Sequence, residues 1–244
     1  MITLRRADER HLDRRHRQEL WHSFNPQEPA KPYAGGFGAL ENLTENRLPP
    51  GSVSVARPSR EAEIVTYICK GAIAQEGSSG SSGVVHAGEF QRMAIGHGIR
   101  HKETNASRTE WAHIFRISLR PSEGESNGAR EQMHVAAAQR HNVLRIVTSP
   151  DGRQGSLHTH QDALIYSSLI DPGHHLIHEL LPGRNAWLHV ICGEAASHGM
   201  ILTQGDGLGV SNERSVSLTA REKFEILLVD VNEQPNGVPG KAAR

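Results

Sequence analysis

Aromatic residues make up only 5% of the 244-residue chain, too few to build a stacking platform for single-stranded nucleic acid. An excess of charge of one sign is also missing. With 27 basic and 27 acidic side chains, no global field draws the protein to a polyanion or an anionic membrane. No run approaches ~20 uninterrupted apolar residues, which excludes a spanning helix. The first ten residues, Met1 to Arg10, carry no apolar core of the kind an export signal needs. The only cysteines, Cys69 and Cys192, both lie in apolar runs that precede a glycine, and they read as buried thiols in a reducing compartment. No Walker pattern, zinc Cys-x-x-Cys pair, serine nucleophile elbow or basic amphipathic helix occurs. These absences set the expectation of a soluble cytoplasmic protein with no membrane contact and no direct nucleic-acid binding.

What is present is a glycine-punctuated, β-rich pattern that occurs twice. Pro50-Gly51 leads to Gly71 and then Gly88-Glu89, while Pro172-Gly173 leads at the same spacing to Gly193 and then to Gly205-Asp206. The Pro-Gly pairs read as turns. The runs Ile64-Val65-Thr66-Tyr67-Ile68-Cys69 and Trp187-Leu188-His189-Val190-Ile191-Cys192 read as strands from their β-branched and aromatic content. Two copies of such a unit predict two barrels or sandwiches in tandem. The boundaries that follow are 1–125 for the first unit, 126–140 for a connection, 141–232 for the second unit and 233–244 for a frayed tail. Residues 131–139 are expected to form a short helix or helical turn, and the Gly/Ser-rich stretch 77–83 a hairpin loop. The stretch Gly205-Asp206-Gly207-Leu208-Gly209 lacks the strand-to-helix setting of a nucleotide loop.

The most specific string runs from Gln91 through Met93, Gly96, Gly98-Ile99 and His101 to Glu103. It joins Phe37-Gly38-Ala39-Leu40, Pro50-Gly51 and Glu63-Ile64-Val65-Thr66-Tyr67, and in the second half His160-Gln161-Asp162-Ala163 and Leu227-Leu228-Val229-Asp230. Across most of its length the chain therefore resembles the pirins, two-domain members of the cupin superfamily. The resemblance implies an all-β fold of two tandem antiparallel cupin barrels, each a double-stranded β-helix or jelly roll. It also implies one transition metal, usually iron, in the N-terminal barrel. Some bacterial members act as quercetin 2,3-dioxygenases. The animal member is a nuclear transcriptional co-regulator, so a protein partner follows by family analogy alone.

In that family a His-x-His pair and a His-x-Glu pair hold the metal. Residues i and i+2 of a strand face the same side, so each pair aims two donors into the barrel. Three imidazoles and one carboxylate suit iron, copper, nickel or manganese. This chain keeps His101 and Glu103, but Arg57 and Ser59 stand where the first pair belongs. A guanidinium has no lone pair to donate. At ~4 Å and an effective dielectric near 20, it repels a divalent ion by about 8 kcal/mol. A serine hydroxyl is a poor replacement for imidazole with these metals.

The expectation is a barrel without a cofactor, in which Arg57 pairs with Glu103. The open alternative is one Fe or other divalent transition metal held by His101, Glu103 and a substitute ligand, His97. Arg57, Ser59, Glu63 and Arg116 are the candidates for a pocket that takes a small aromatic or anionic ligand. Arg116 belongs to Ile114-Phe115-Arg116, where pirins often carry Gln-x-Trp. In the second unit the corresponding positions hold Glu179, Leu181 and Asn185, with no imidazole, so that barrel reads as structural. His158-Thr159-His160 lies away from the ligand positions of the repeat. The functional expectation is a non-catalytic or weakly active small-molecule-binding or regulatory protein, and the alternative is a metal-dependent quercetin 2,3-dioxygenase-like enzyme.

Overall fold

The run Ala62–Lys70 is apolar in both phases of a two-residue alternation, the mark of a strand covered on both faces. Val65 and Tyr67 point into one core, and Ile68 into another. The same holds for Arg184–Cys192, where Trp187 and Ile191 face one way and Leu188 and Val190 the other. Each of these strands is the centre of a large sheet that serves two cores at once. The computed structural model describes residues 1–15, 17–27, 29, 33–56, 62–77, 82–95, 101–120 and 130–232.

In chain order the first half holds β1 (Ile2–Arg5), β2 (His11–Arg15), β3 (Gln18–His22), β4 (Leu40–Leu48), β5 (Val53–Ala56) and β6 (Ala62–Lys70). It continues with β7 (Ala72–Gly77), β8 (Ser82–His86), β9 (Glu89–Ile95), β10 (His101–Asn105), β11 (Ala112–Leu119) and β12 (Arg130–His134). The second half holds β13 (Arg145–Ser149), β14 (Leu157–His158), β15 (Ala163–Ile170), β16 (His175–Glu179) and β17 (Arg184–Cys192). After these come β18 (Ala195–Ser197), β19 (Met200–Leu202), β20 (Gly207–Val210), β21 (Ser215–Ala220) and β22 (Phe224–Asn232).

The first barrel closes a seven-stranded sheet, β12-β9-β6-β11-β4-β3-β2, over a four-stranded one, β5-β10-β7-β8. The second repeats the plan with β1-β20-β17-β22-β15-β13-β14 over β16-β21-β18-β19. The all-β reading of two cupin barrels holds. Two edge strands cross the expected boundaries. β1, from the start of the chain, pairs with β20 of the second barrel, and β12, from the connection, pairs with β9 of the first. Of residues 131–139, the first part is strand and only the end makes the expected helical turn. Pairing with β9 satisfies backbone groups that a helix would leave open on that edge, so 130–134 is strand and only Ala137–Arg140 turns as a 3-10 helix. β7 and β8 form the expected hairpin, and the tail from residue 233 lies outside the described residues.

The two large sheets face each other across the main core. Phe24, Phe37, Val65, Tyr67, Phe90, Phe115 and Leu119 from the first half meet Val147, Ile165, Trp187, Ile191, Leu227 and Val229 from the second. Trp187 lies edge-on to Phe24 at 4.7 Å and tilted to Phe37 at 5.6 Å. This accounts for Gly207. A Cβ there would sit 2.3 Å from the Trp187 ring, so the strand needs bare backbone.

The duplication holds in detail. Gly51, Gly71 and Gly88, and their counterparts Gly173, Gly193 and Gly205, all adopt positive φ. Each large sheet also carries a register shift just before its second glycine, at His113/Ile114 against β6 and at Val190/Cys192 against β22.

Candidate ligand site in the first barrel

Two-residue alternation sends Leu48, Ile68, Ile73, Val85, Ala112 and Ile114 into the first barrel, where they close one end. Further along the same strands the inward positions become polar. Glu103 on β10 and Gln75 on β7 are direct cross-strand partners, both buried. Arg116, on β11 of the opposite sheet, reaches across the interior and donates from Nη2 to Glu103 Oε2. Gln75 Nε2 donates to the other oxygen, Oε1, at 3.2 Å. Oriented by its hydrogen-bonding partners, the Gln91 amide donates to Gln75 Oε1 at 2.7 Å and accepts from Arg130 at 2.8 Å. The result is a polar chain, Arg116–Glu103–Gln75–Gln91–Arg130, that ties the two sheets together inside the barrel. Buried carboxylates are stable only when paired and hydrogen-bonded, and Glu103 meets both conditions.

The predicted residues divide into three groups. Glu103 and Arg116 come together. His101 opens β10 with its Cα registered against Ala56 on β5 and Gly77 on β7, which puts it two residues from Glu103 on the same strand. Arg57, Ser59 and His97 lie outside the described residues. Glu63 does not belong to this site. Its phase on β6 matches that of Val65 and Tyr67, so it points to the seam between the barrels. There Arg92 Nε donates to it at 2.6 Å, Thr159 Oγ1 at 2.5 Å and the His160 and Gln161 amides at 3.1 and 3.3 Å. The His158-Thr159-His160 segment therefore serves as a clasp on Glu63. Among the described residues Glu103 is held by Arg116 and Gln75, and the expected partner Arg57 lies outside them. Gln75, Gln91 and Arg130 were missed. Two-residue phase along β7 and β9 marks Gln75 and Gln91 as inward, but only once the strand register is known.

The second barrel has a different interior. Fifteen buried apolar residues, among them Leu188, Leu218, Ile226 and Leu228, fill it. Among its buried polar groups, Asp230 accepts from Arg184 Nε at 2.6 Å and lies 2.8 Å from His178 Nε2.

The seam holds two more satisfied carboxylates. Glu45 accepts from Arg10 and lies against His113, each at 2.7 Å. Glu225 accepts from Tyr67 at 2.6 Å and from Arg140 at 2.7 Å. Burial, and then the charge of Glu225, raise the Tyr67 phenol, which keeps it a donor.

Comparison with known proteins agrees with this architecture. Residues 5–119 match the family model described as Pirin, and residues 146–231 match the one described as Quercetinase C-terminal cupin domain. A quercetin 2,3-dioxygenase from Escherichia coli (strain K12) is 33% identical over 231 residues, which is 95% of this chain and 99% of that protein. A putative quercetin 2,3-dioxygenase from Pseudomonas aeruginosa is 30% identical over 211 residues, covering 86% of this chain and 90% of the other. Among solved structures, the bacterial pirin YhhW from Escherichia coli in complex with nickel(II) superposes with a TM-score of 0.86 at 31% identity. That match covers 96% of this chain and 100% of that one.

Proposed function

Because the chain belongs to the pirin family of two-barrel cupins, we propose that its first barrel is a binding site for a small anionic ligand, with no tightly held transition metal and little or no dioxygenase turnover. The observation that carries this reading is the Arg116–Glu103 ion pair with Gln75 on the second carboxylate oxygen. A carboxylate whose charge is already balanced by a guanidinium and whose second oxygen holds an amide is a weak ligand, and a metal on it would stand close to that cation. Removing one partner from such a pair costs about 3–5 kcal/mol. The other donors do not make up the loss. Of the four positions that the family resemblance assigns to ligands, only His101 and Glu103 hold donor side chains, while Arg57 and Ser59 fill the other two. By that assignment the donor set is one imidazole and one carboxylate already paired with a cation, which does not fit a divalent ion.

The same inventory favours an anion. Arg116 lies inside the barrel, and the family resemblance would add the guanidinium of Arg57 against the one assigned carboxylate, Glu103. A carboxylate or phenolate would supply the missing negative charge and accept paired N–H donors. A role in regulation by ligand occupancy fits a site that holds but does not transform. We place the protein in the cytoplasm, in keeping with its two free cysteines. No helix among the described residues is long and apolar enough to cross a membrane.

A second reading, metal-dependent quercetin 2,3-dioxygenase-like chemistry, is favoured by the names of the relatives and by the nickel(II) in one structural neighbour. It would rest on His101, Glu103 and a substitute ligand such as His97. Metal analysis after growth with added iron, nickel or manganese separates the two. Well under one equivalent and no dioxygen-dependent flavonol turnover are expected. Stoichiometric metal with turnover lost in His101→Ala would overturn the proposal. Changing Arg57→His and Ser59→His together is expected to restore metal uptake, because the barrel frame and His101 are retained.

A further inference from the structure

The paired register shifts in the two large sheets have a shared consequence at the seam. The shift against β11 turns both Cys69 and Lys70 at the end of β6 toward the gap between the barrels. The matching shift against β22 does the same for Ile191 and Cys192 at the end of β17. Bulges re-aim side chains in this way. Between the two strand ends lies a cavity of about 520 Å³, walled by both barrels and open on one side, with Trp111, half exposed, as its largest apolar wall. That volume falls within the roughly 300–1,000 Å³ range of small-molecule sites.

Its charges do not cancel. Arg47, His113 and Lys70 are consecutive partners across β4, β11 and β6, forming one row on the cavity wall. With strands ~4.8 Å apart, the outer two stand about 10 Å from each other. The acids around the cavity are engaged elsewhere: Glu225 by Tyr67 and Arg140, and Glu19 by Arg14 at 3.6 Å. His113 and Arg47 share Glu45, at 2.7 and 3.8 Å. Lys70 alone in that row has no acidic partner among the described residues. An ammonium at the mouth of an apolar, aromatic-walled cavity is a site for an anion attached to a flat apolar body.

We propose that this seam cavity is a second binding site, distinct from the first barrel, that takes a small aryl carboxylate. Its carboxylate lies at Lys70, with Arg47 beside it, and its ring lies between Trp111 and Ile191. No covalent step is involved. Cys192 lines the cavity and is exposed, so it reports occupancy directly.

The test measures the rate of Cys192 alkylation by iodoacetamide in the full-length protein, read by peptide mass spectrometry, with 2-naphthoate as the probe and 2-naphthamide as its uncharged match. Mass action predicts about tenfold slower alkylation when 2-naphthoate stands tenfold above its Kd. The amide should leave the rate unchanged. Lys70→Gln should abolish protection, while Lys70→Arg should keep it, and both should melt like the parent. Arg57→Gln, which weakens the anion site proposed for the first barrel, should leave protection intact, so failure of that proposal and failure of this one are separable. The seam assignment falls if protection is absent, equal with the amide, undiminished in Lys70→Gln, or lost in Arg57→Gln.

Discussion

The two barrels use one backbone plan for opposite interiors. Arg116 on β11 stands between Thr66 on β6 and Thr44 on β4. Its counterpart Leu228 on β22 stands between Leu188 on β17 and Tyr166 on β15. Glu103 faces Ser54 and Gln75, while Leu218 faces Leu176 in the second barrel. An arginine and a glutamate thus occupy positions where the second barrel has two leucines of its apolar core. The second barrel gains burial at about 25 cal/mol per Å² of apolar surface. The first replaces that term with an ion pair, which contributes little net stability but keeps hydrogen-bonding groups inside the barrel. Buried polar groups that contribute so little net stability are what the proposed ligand site would need, and packing alone does not call for them.

The most drastic way to break the contrast is to give the first barrel the second one's residues. Arg116→Leu alone leaves the Glu103 carboxylate buried without its cation and is expected to cost about 3–5 kcal/mol. Adding Glu103→Leu should recover most of that loss, since the pair then copies Leu228 and Leu218. Urea midpoints of the two variants check this. A double variant as unstable as the single one would mean that the barrel frames are less alike than their registers.

Much of this comparison was legible in the sequence. The duplicated glycines mark turns that only a positive φ satisfies, and apolar content in both phases of residues 62–70 and 184–192 marks central strands. What was not legible depends on register between distant segments. Glu63 is close in sequence to Arg57 and Ser59, yet a one-residue difference in phase sends a side chain to the opposite face, and Glu63 falls on the seam side. The Arg116–Glu103 contact joins two different sheets, and no local pattern encodes it. Residues 130–134 have the composition of a helix, but pairing with β9 overrides local preference.

A middle-sized effect sharpens the comparison at the seam, where each barrel contributes one acid-sensitive group. His189, on the second barrel, is fully buried, and neither ring nitrogen has a hydrogen-bond partner among the described residues. Burial, reinforced by the charge of Arg10, pushes it down to about 3 from an ordinary 6.5. Glu45, on the first barrel, would be raised by burial. The His113 hydrogen bond and the Arg10 charge outweigh that and hold it at about 2 against an ordinary 4.5. Both groups bind protons more tightly in the unfolded chain, so each contribution is complete above the ordinary value and is lost on acidification. The His189 contribution fades from pH 6.5 toward 3, and that of Glu45 from 4.5 toward 2. The Glu45 part amounts to about 3 kcal/mol. Stability measured against pH should therefore fall in two overlapping stages. His189→Phe should remove the upper stage and Glu45→Gln the lower. A profile that keeps both stages in His189→Phe would assign the upper one to another group.

The smallest effect asks whether the barrels still agree where their interiors do not intervene. At the Pro-Gly turns, Gly51 N–H donates to Ser107 O and Gly173 N–H to Ala220 O, both at 2.8 Å. The following residues close equivalent turns, Ser52 onto Pro49 at 3.2 Å and His174 onto Asp171 at 3.1 Å. Neither glycine has any atom within 4 Å of the place a Cβ would occupy, so only the positive φ, +63° and +81°, opposes a side chain. Gly51→Ala and Gly173→Ala should each cost about 1–2 kcal/mol, the ordinary penalty for an L-residue in that region. Matching losses in thermal melts would mean that the duplicated frame tolerates the same strain on both sides, and that the barrels diverged through their inward side chains alone. A markedly larger loss at Gly51, beside the strand that leads to Arg57, would tie that turn to the ligand site of the first barrel.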